Sequence, residues 1–446
     1  MSDARFDYEN YMFALKGTEL IRAKGQVVQL IGLVIEALLQ GVRIGELCYI
    51  KSQDKKRIYP AEVVGFKARR VLLMPLADIQ GIGAGCEVIA TNKLVSVKVG
   101  PKLLGRVVDG IGNPMDGKGP LIAETEYPLD NSPPNPIRRA RITNIMPVGV
   151  RVIDGFLVYG EGQRMGLFAG SGVGKSTLLG MIARNAKADI NVLCLVGERG
   201  REVNEFIEDS MGEEGMARSV VVCATSDMSS LLRMKAPMTA SAIAEYFRDK
   251  GLKVFLMMDS VTRFAMAQRE VGLAIGEPPS TKGYTPSVFA MLPRLLERAG
   301  MSDKGSITAL YTVLVEGGDM EDPIADAVRG VLDGHIVMDR KIAQQNVYPA
   351  VDVLQSVSRL MPALATKSHK DLANQVRKMM ADLREVQDMR LIGAYVKGSN
   401  QAYDDAIALE PQIKEFCAQS MEDPSSWEDT QRTLSFLGGG GSMSFG

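Results

Sequence analysis

Met165-Gly166-Leu167-Phe168-Ala169-Gly170-Ser171-Gly172-Val173-Gly174-Lys175-Ser176-Thr177-Leu178-Leu179-Gly180-Met181-Ile182-Ala183 is the stretch on which the fold of this chain turns. It opens as an apolar run, passes through a stretch dense in glycine, and returns apolar residues at helical spacing from Leu178. A strand, a tight loop and a helix in that order form a phosphate-binding loop. Glycines at 170, 172 and 174 let successive backbone N–H groups turn inward. The helix that follows adds its unpaired N–H groups and the positive end of its dipole. The loop Ala169, Gly170, Ser171, Gly172, Val173, Gly174, Lys175, Ser176 and Thr177 is therefore expected to hold a nucleoside triphosphate. Within it, Lys175 can reach the β and γ oxygens and the Ser176 hydroxyl can coordinate Mg2+. Ala169 stands where such loops usually begin with glycine, a change that suits a backbone with no need of positive φ.

A loop that holds phosphates does not by itself cut them. The apolar run Ile190 to Val196 ends in Gly197-Glu198-Arg199-Gly200-Arg201-Glu202, which reads as a strand delivering charge at its carboxyl end. Glu198 lies 23 residues past Lys175, enough for one helix and a return into the sheet. A carboxylate there can polarise the attacking water, with Arg199 nearby to manage charge; the alternative is a solvated cluster at a helix start. A second run, Gly251 to Ser260, brings Asp259 to a strand end, where its oxygens suit Mg2+ beside Ser176. Further on, Tyr348 offers a flat face to adenine, and Arg359 offers a guanidinium either to phosphoryl oxygens or to a structural ion pair.

Around these motifs the chain has 446 residues, room for roughly three domains. Hydrophobic residues at 46% and charged residues at 24% exclude a disordered or coiled-coil chain. Lys plus Arg (52) and Asp plus Glu (53) nearly cancel, so no global positive field exists to hold a polyanion, and no specific nucleic acid is expected. Five cysteines form no CxxC and the two histidines stand far from them, which argues against structural zinc. Leu30 to Leu39 is too short for a membrane span and contains Glu36. With no signal pattern at the N-terminus, the expected location is the reducing cytoplasm.

The texture changes along the chain. Residues 1–24 form a short, aromatic-rich amphipathic piece expected to dock a partner or cap its neighbour. Residues 25–99 carry short Val, Ile and Leu runs between glycine-containing turns, the pattern of a small β-barrel domain. With only Tyr49, Tyr59 and Phe66 as aromatics, a structural or ring-forming role suits it better than single-strand nucleic-acid binding. Residues 100–362 begin in a Gly- and Pro-rich linker and then alternate strand-like and helix-like segments, as an α/β sheet requires. Residues 363–437 show apolar positions at three- and four-residue spacing and are expected to be helical; 438–446, opening with four glycines, are expected to be a flexible tail.

Several further segments carry a family likeness. They are Leu104–Gly112, Asp154–Leu157, Gly160–Gly166, Gly276–Pro279, Lys282–Phe289 and Pro349–Ser358. With them the chain resembles the type III protein-export ATPases, relatives of the rotary ATP synthase subunits, over about residues 25–415. The resemblance implies an α/β, RecA-like nucleotide-binding domain preceded by a small N-terminal β-barrel and followed by a C-terminal helical domain. It implies Mg-dependent hydrolysis of ATP by a homohexameric ring that promotes unfolding, chaperone release and export of proteins. Glu198 would be the catalytic glutamate, Asp259 the Mg-coordinating aspartate, Tyr348 the adenine platform and Arg359 a finger acting on the neighbouring subunit. The implied partners are a stator-like negative regulator, a stalk-like protein, membrane proteins of the export gate and chaperone–substrate complexes, met at the inner membrane by peripheral association. Ala61–Phe66, Arg70–Leu76, Lys397–Asn400 and Asp404–Ile407 resemble the flagellar branch more than the injectisome branch. A rotary-synthase catalytic subunit, an RNA translocase and a nucleotide-gated assembly scaffold are the competing functions.

Overall fold

A computed structural model describes residues 23–439. The proposed docking or capping role of residues 1–24 falls almost wholly outside them, as does most of the expected tail. The chain divides into two compact units, one ending at Val95 and including Ala274–Gly276, the other made of Ser96–Leu273 and the chain from Glu277 onward.

The first unit is a closed six-stranded barrel of β1 (Lys24–Ile31), β2 (Val34–Leu38), β3 (Glu46–Lys51), β4 (Ile58–Lys67), β5 (Arg70–Pro75) and β6 (Glu87–Leu94). Its strand order is β1-β2-β5-β4-β3-β6, with antiparallel neighbours. Alternation fills the interior: Cys48 and Ile50 point in beside Ala61, Val63, Leu73 and Val88, whereas Tyr49 between them faces out. The apolar stretch 27–35, which reads as one run in sequence, is two strands. Gly32 turns the chain at φ 57°, and Ile31 and Leu33 sit exposed at the hairpin tip.

The second unit begins with β7 (Ser96–Val99), β8 (Arg106–Val108) and β9 (Thr125–Pro128). Its main sheet adds β10 (Arg164–Ala169), β11 (Ile190–Val196), β12 (Ser219–Ala224), β13 (Lys253–Asp259), β14 (Gly300–Met301), β15 (Ser306–Leu314), β16 (Gly334–Met338) and β17 (Val357–Ser358). The order is β17-β16-β10-β15-β13-β11-β12-β8, parallel from β16 to β8, with β14 attached to β15. Parallel strands need crossovers, and the helices that make them cover both faces, so every residue of β11 is buried. The 20-residue helix Ser230–Asp249 packs on β11, β12 and β13.

Three helices end the unit: Lys367–Leu391, Gln401–Cys417 and Trp427–Gly438. They dock through Phe416, which meets Phe156 edge to face at 5.4 Å, and through His369, whose Nε2 donates to the Gly155 carbonyl at 2.7 Å. Burying an aromatic side chain of this kind contributes about 1.5–3 kcal/mol. Among the described residues no helix is long and apolar enough to cross a membrane. All strands from β16 to β8 run the same way, so the loops after β10, β11 and β13 emerge at one edge of the sheet, where ligands of open α/β sheets bind.

Candidate active site

Ala169 is the last residue of β10 and carries no positive φ, so the methyl group in place of hydrogen is accommodated. Gly172 and Gly174 lie at φ 77° and 85°, the left-handed conformation that lets the loop close on itself. Helix Lys175–Asn185 then starts with Gly174 as its cap and no side chain bonded to its first N–H groups. Those donors are left facing whatever the loop encloses. Ser171 is fixed by its carbonyl, which accepts from Arg340 Nη2 at 3.1 Å.

The ammonium of Lys175 rests against both carboxylate oxygens of Asp259 and lies 3.8 Å from Glu198 Oε1. Asp259 reaches this position from the end of β13, and a third strand helps hold it. Thr312 on β15, which lies between β10 and β13, donates from Oγ1 to Asp259 Oδ1 at 2.6 Å. Glu198 follows β11 by two residues. Burial, and then the like charge of Asp259, push its carboxyl up to about 7 against the pull of Lys175. Arg263, one helical turn past Asp259, donates to the Gly197 carbonyl at 2.9 Å and adds a second cation near Glu198. A hydrogen bond with Glu202 also raises Glu198, and Glu202 itself is held low by that bond.

Ser176, Thr177, Glu198, Glu202 and Asp259 line one cavity of about 200 Å3. Glu205 and Asp209 complete an acidic wall that a single ammonium does not neutralise. Hydroxyl and carboxylate oxygens are the donor set Mg2+ prefers. Among the described residues no three His, Cys, Asp or Glu side chains converge as a metal site of their own.

Tyr348 stands beside the loop: a Cβ built on Gly174 would lie 3.2 Å from its ring, and the Tyr348 carbonyl accepts from Gln419 N at 2.8 Å. Two of the residues singled out in sequence are not brought to the cavity. Arg199 is 78% exposed and pairs with Glu202 at 3.0 Å. Arg359 is exposed, and its N–H donates to Asp333 O at 2.9 Å, at the start of β16 rather than its end. Thr312 and Arg263 escaped the sequence reading, which placed Glu202 only in the charged run that follows the strand. Thr312 sits inside the apolar run Ser306–Leu314 and only the strand order reveals its neighbour, whereas Glu202, four residues past Glu198, carried a signal in its helical spacing.

Comparison with known proteins agrees with this architecture. Residues 27–92 match the beta-barrel domain of the ATP synthase alpha/beta family, and residues 149–358 match the nucleotide-binding domain of the same family. Fold and site together define an ATPase of the ATP synthase alpha/beta type. Residues 365–435 match the T3SS EscN ATPase C-terminal domain. The chain is 53% identical to the flagellum-specific ATP synthase of Bacillus subtilis (strain 168), over 95% of this chain and 97% of the relative. It is 50% identical to the type 3 secretion system ATPase of Xanthomonas euvesicatoria, over 93% of each. The assembled ATPase EscN of enteropathogenic E. coli, solved with its central stalk EscO, superposes with a TM-score of 0.86 at 45% identity, covering 93% of this chain and all of that one. The chain belongs to the family of flagellar and type III secretion ATPases.

Proposed function

We propose that this chain hydrolyses Mg-ATP between adjacent subunits of a homohexameric ring and spends the energy on unfolding, chaperone release and export of flagellar proteins. Residues 169–177 bind the phosphates, with Lys175 leaving Asp259 for the β and γ oxygens. Ser176 and Asp259 would hold the metal, which when bound would polarise the γ-phosphoryl group. Glu198 orients the attacking water and accepts its proton, Arg263 balances charge beside it, Arg199 acts on it only through Glu202, and Tyr348 packs on adenine.

The observation that carries this reading is the position of Arg359. It lies beside Asp333, whose N–H donates to the Arg164 carbonyl at the first residue of β10, while the phosphate-binding loop follows the last. An arginine at that edge has no access to its own chain's phosphates and suits a neighbour's. The relative solved as an assembly with a central stalk supports both the ring and a stalk-like partner. A stator-like regulator, export-gate proteins, chaperone–substrate complexes and peripheral attachment of a cytoplasmic enzyme to the inner membrane follow from the same likeness.

Mixing two inactive chains tests the arrangement. Arg359→Ala keeps Glu198, and Glu198→Gln keeps Arg359, so a mixed ring regains turnover at interfaces where the second chain serves the first. Recovery of activity on mixing is expected; no recovery in rings shown to be mixed would overturn the shared site. Flagellar and injectisome relatives match at 53% and 50%, so the cargo system is read from export in strains lacking the flagellar or the injectisome ATPase.

A further inference from the structure

The helical segment after Glu198 runs from Gly200–Glu205 through the wider π-helical turn Phe206–Met211 to Gly212–Ala217, and it separates two cavities. One is the acidic site cavity described above, bordered by Glu202, Val203 and Asp209. The other, of about 850 Å3, is walled by Val107, Met115, Val203, Ile207, Met216 and Cys223. Val203 borders both. The larger cavity plays no part in the chemistry proposed for the site.

Its size falls in the range of pockets that take small molecules, and its walls are apolar with sulfur from two methionines and a cysteine, which adapt to varied shapes. Its mouth carries charge. Asp116 is spent on Arg106, which it grips with both oxygens at 2.6 and 2.9 Å. Lys118 donates to the Gly105 carbonyl at 2.9 Å. Glu208 and Glu213 are exposed and make no ion pair among the described residues, so the balance at the mouth is negative. The intervening segment is also in close contact with the phosphate-binding helix. A Cβ on Gly180 would lie 2.6 Å from Ser210 Cβ and 2.9 Å from its carbonyl oxygen, so the segment and the helix begun by Lys175 cannot move independently.

We propose that the cavity between Val107 and Ile207 is a binding site for an apolar molecule carrying one amine cation, and that its occupation changes nucleotide affinity through the Val203–Ser210 segment. The apolar body fills the sulfur-rich floor and the ammonium meets Glu208 and Glu213. Binding stands on the cavity alone; the coupling rests on the nucleotide-site assignment. π-helical turns gather at functional sites, and this one lies in the segment that borders both cavities.

The test titrates the full-length, nucleotide-free chain with 1-(aminomethyl)pyrene and follows fluorescence anisotropy. Saturable binding of one probe per chain is expected. Ile207→Trp, which fills the cavity, should weaken it about tenfold, and the pair Glu208→Gln with Glu213→Gln about threefold, the scale of screened surface charge. The neutral 1-pyrenemethanol should also bind about threefold more weakly than the amine. If Ile207→Trp does not fold, Met115→Trp at the exposed rim fills the same space. Absence of saturation, or saturation that neither filling variant changes, overturns the site. Loss of probe binding as the chain self-associates gives the cavity to a second copy and likewise overturns it. In the second measurement, saturating probe should shift the affinity for a nonhydrolysable ATP analogue at least about threefold, and the analogue should shift the probe equally. Normal binding of both with no mutual shift overturns the coupling. Failure of the analogue to bind the untreated chain would count against the nucleotide site and not against the cavity.

Discussion

Arg359 and Lys175 stand at opposite edges of the same parallel sheet. Arg359 is tied through Asp333 to Arg164, where β10 begins, and Lys175 lies six residues past Ala169, where β10 ends. Five strand steps alone separate those edges by about 16 Å. No rotamer of Arg359 crosses that distance to reach its own chain's loop. Arg359→Ala is therefore expected to leave nucleotide binding by the isolated chain unchanged and to lower kcat of the assembled form by about a thousandfold, the scale of a lost arginine finger. Equilibrium binding and steady-state turnover on one preparation check both halves.

Lys175→Ala is expected to abolish hydrolysis while the chain stays folded. The substitution leaves Asp259 and Glu198 facing each other without the ammonium between them, and like charge then favours protonation of one carboxyl. Turnover equal to that of the parent chain would remove Lys175 from the chemistry. A circular dichroism melt alongside separates loss of function from loss of fold.

Thr312→Val removes the hydroxyl that orients Asp259 and preserves the shape of the side chain. A positioning hydrogen bond to a metal-binding carboxylate typically carries tenfold to a hundredfold in metal affinity, and about tenfold is expected here. The readout is the Mg2+ concentration needed for half-maximal binding of a fluorescent ATP analogue. Thr312→Ser should restore it, a rescue that a purely space-filling role would not produce.

His369 supplies a pH dependence of stability. Its ring is buried against Trp427 at 5.6 Å, and burial holds its pKa below the ordinary histidine value despite the bond to the Gly155 carbonyl. The unfolded chain thus takes up a proton near pH 6.5 that the folded chain resists. Stability from this group is complete above about pH 6.5 and declines as pH falls from there toward the depressed folded value. Urea unfolding at pH 8 and pH 5.5 should show a larger loss for the parent chain than for His369→Gln, which can still donate to Gly155.

Much of the site was legible because it is local. The glycines, Lys175 and Ser176 lie in one continuous loop whose conformation follows from its own residues, and Glu198 and Asp259 announced themselves as charges ending apolar runs. The α/β class, the small barrel and the helical end were legible from spacing for the same reason. What sequence could not supply was adjacency. Thr312 looks like a polar interruption in β15 until that strand is found between β10 and β13. Arg359 left two roles open, and nothing in its sequence neighbourhood says at which edge of the sheet it lies. The hairpin inside residues 27–35 was hidden because its exposed tip is as apolar as its buried strands.

The clasp between Lys175 and Asp259 has one more consequence. Each group is the other's nearest opposite charge, so a lone anion that draws off the lysine leaves the aspartate with Thr312 alone, and a lone divalent cation leaves the lysine with only the more distant Glu198. A polyanion that arrives with its own divalent cation replaces both contacts at once. On the proposed reading of the site, the loop should discriminate against orthophosphate and against uncomplexed nucleotide, and answer chiefly to the coincidence of the two.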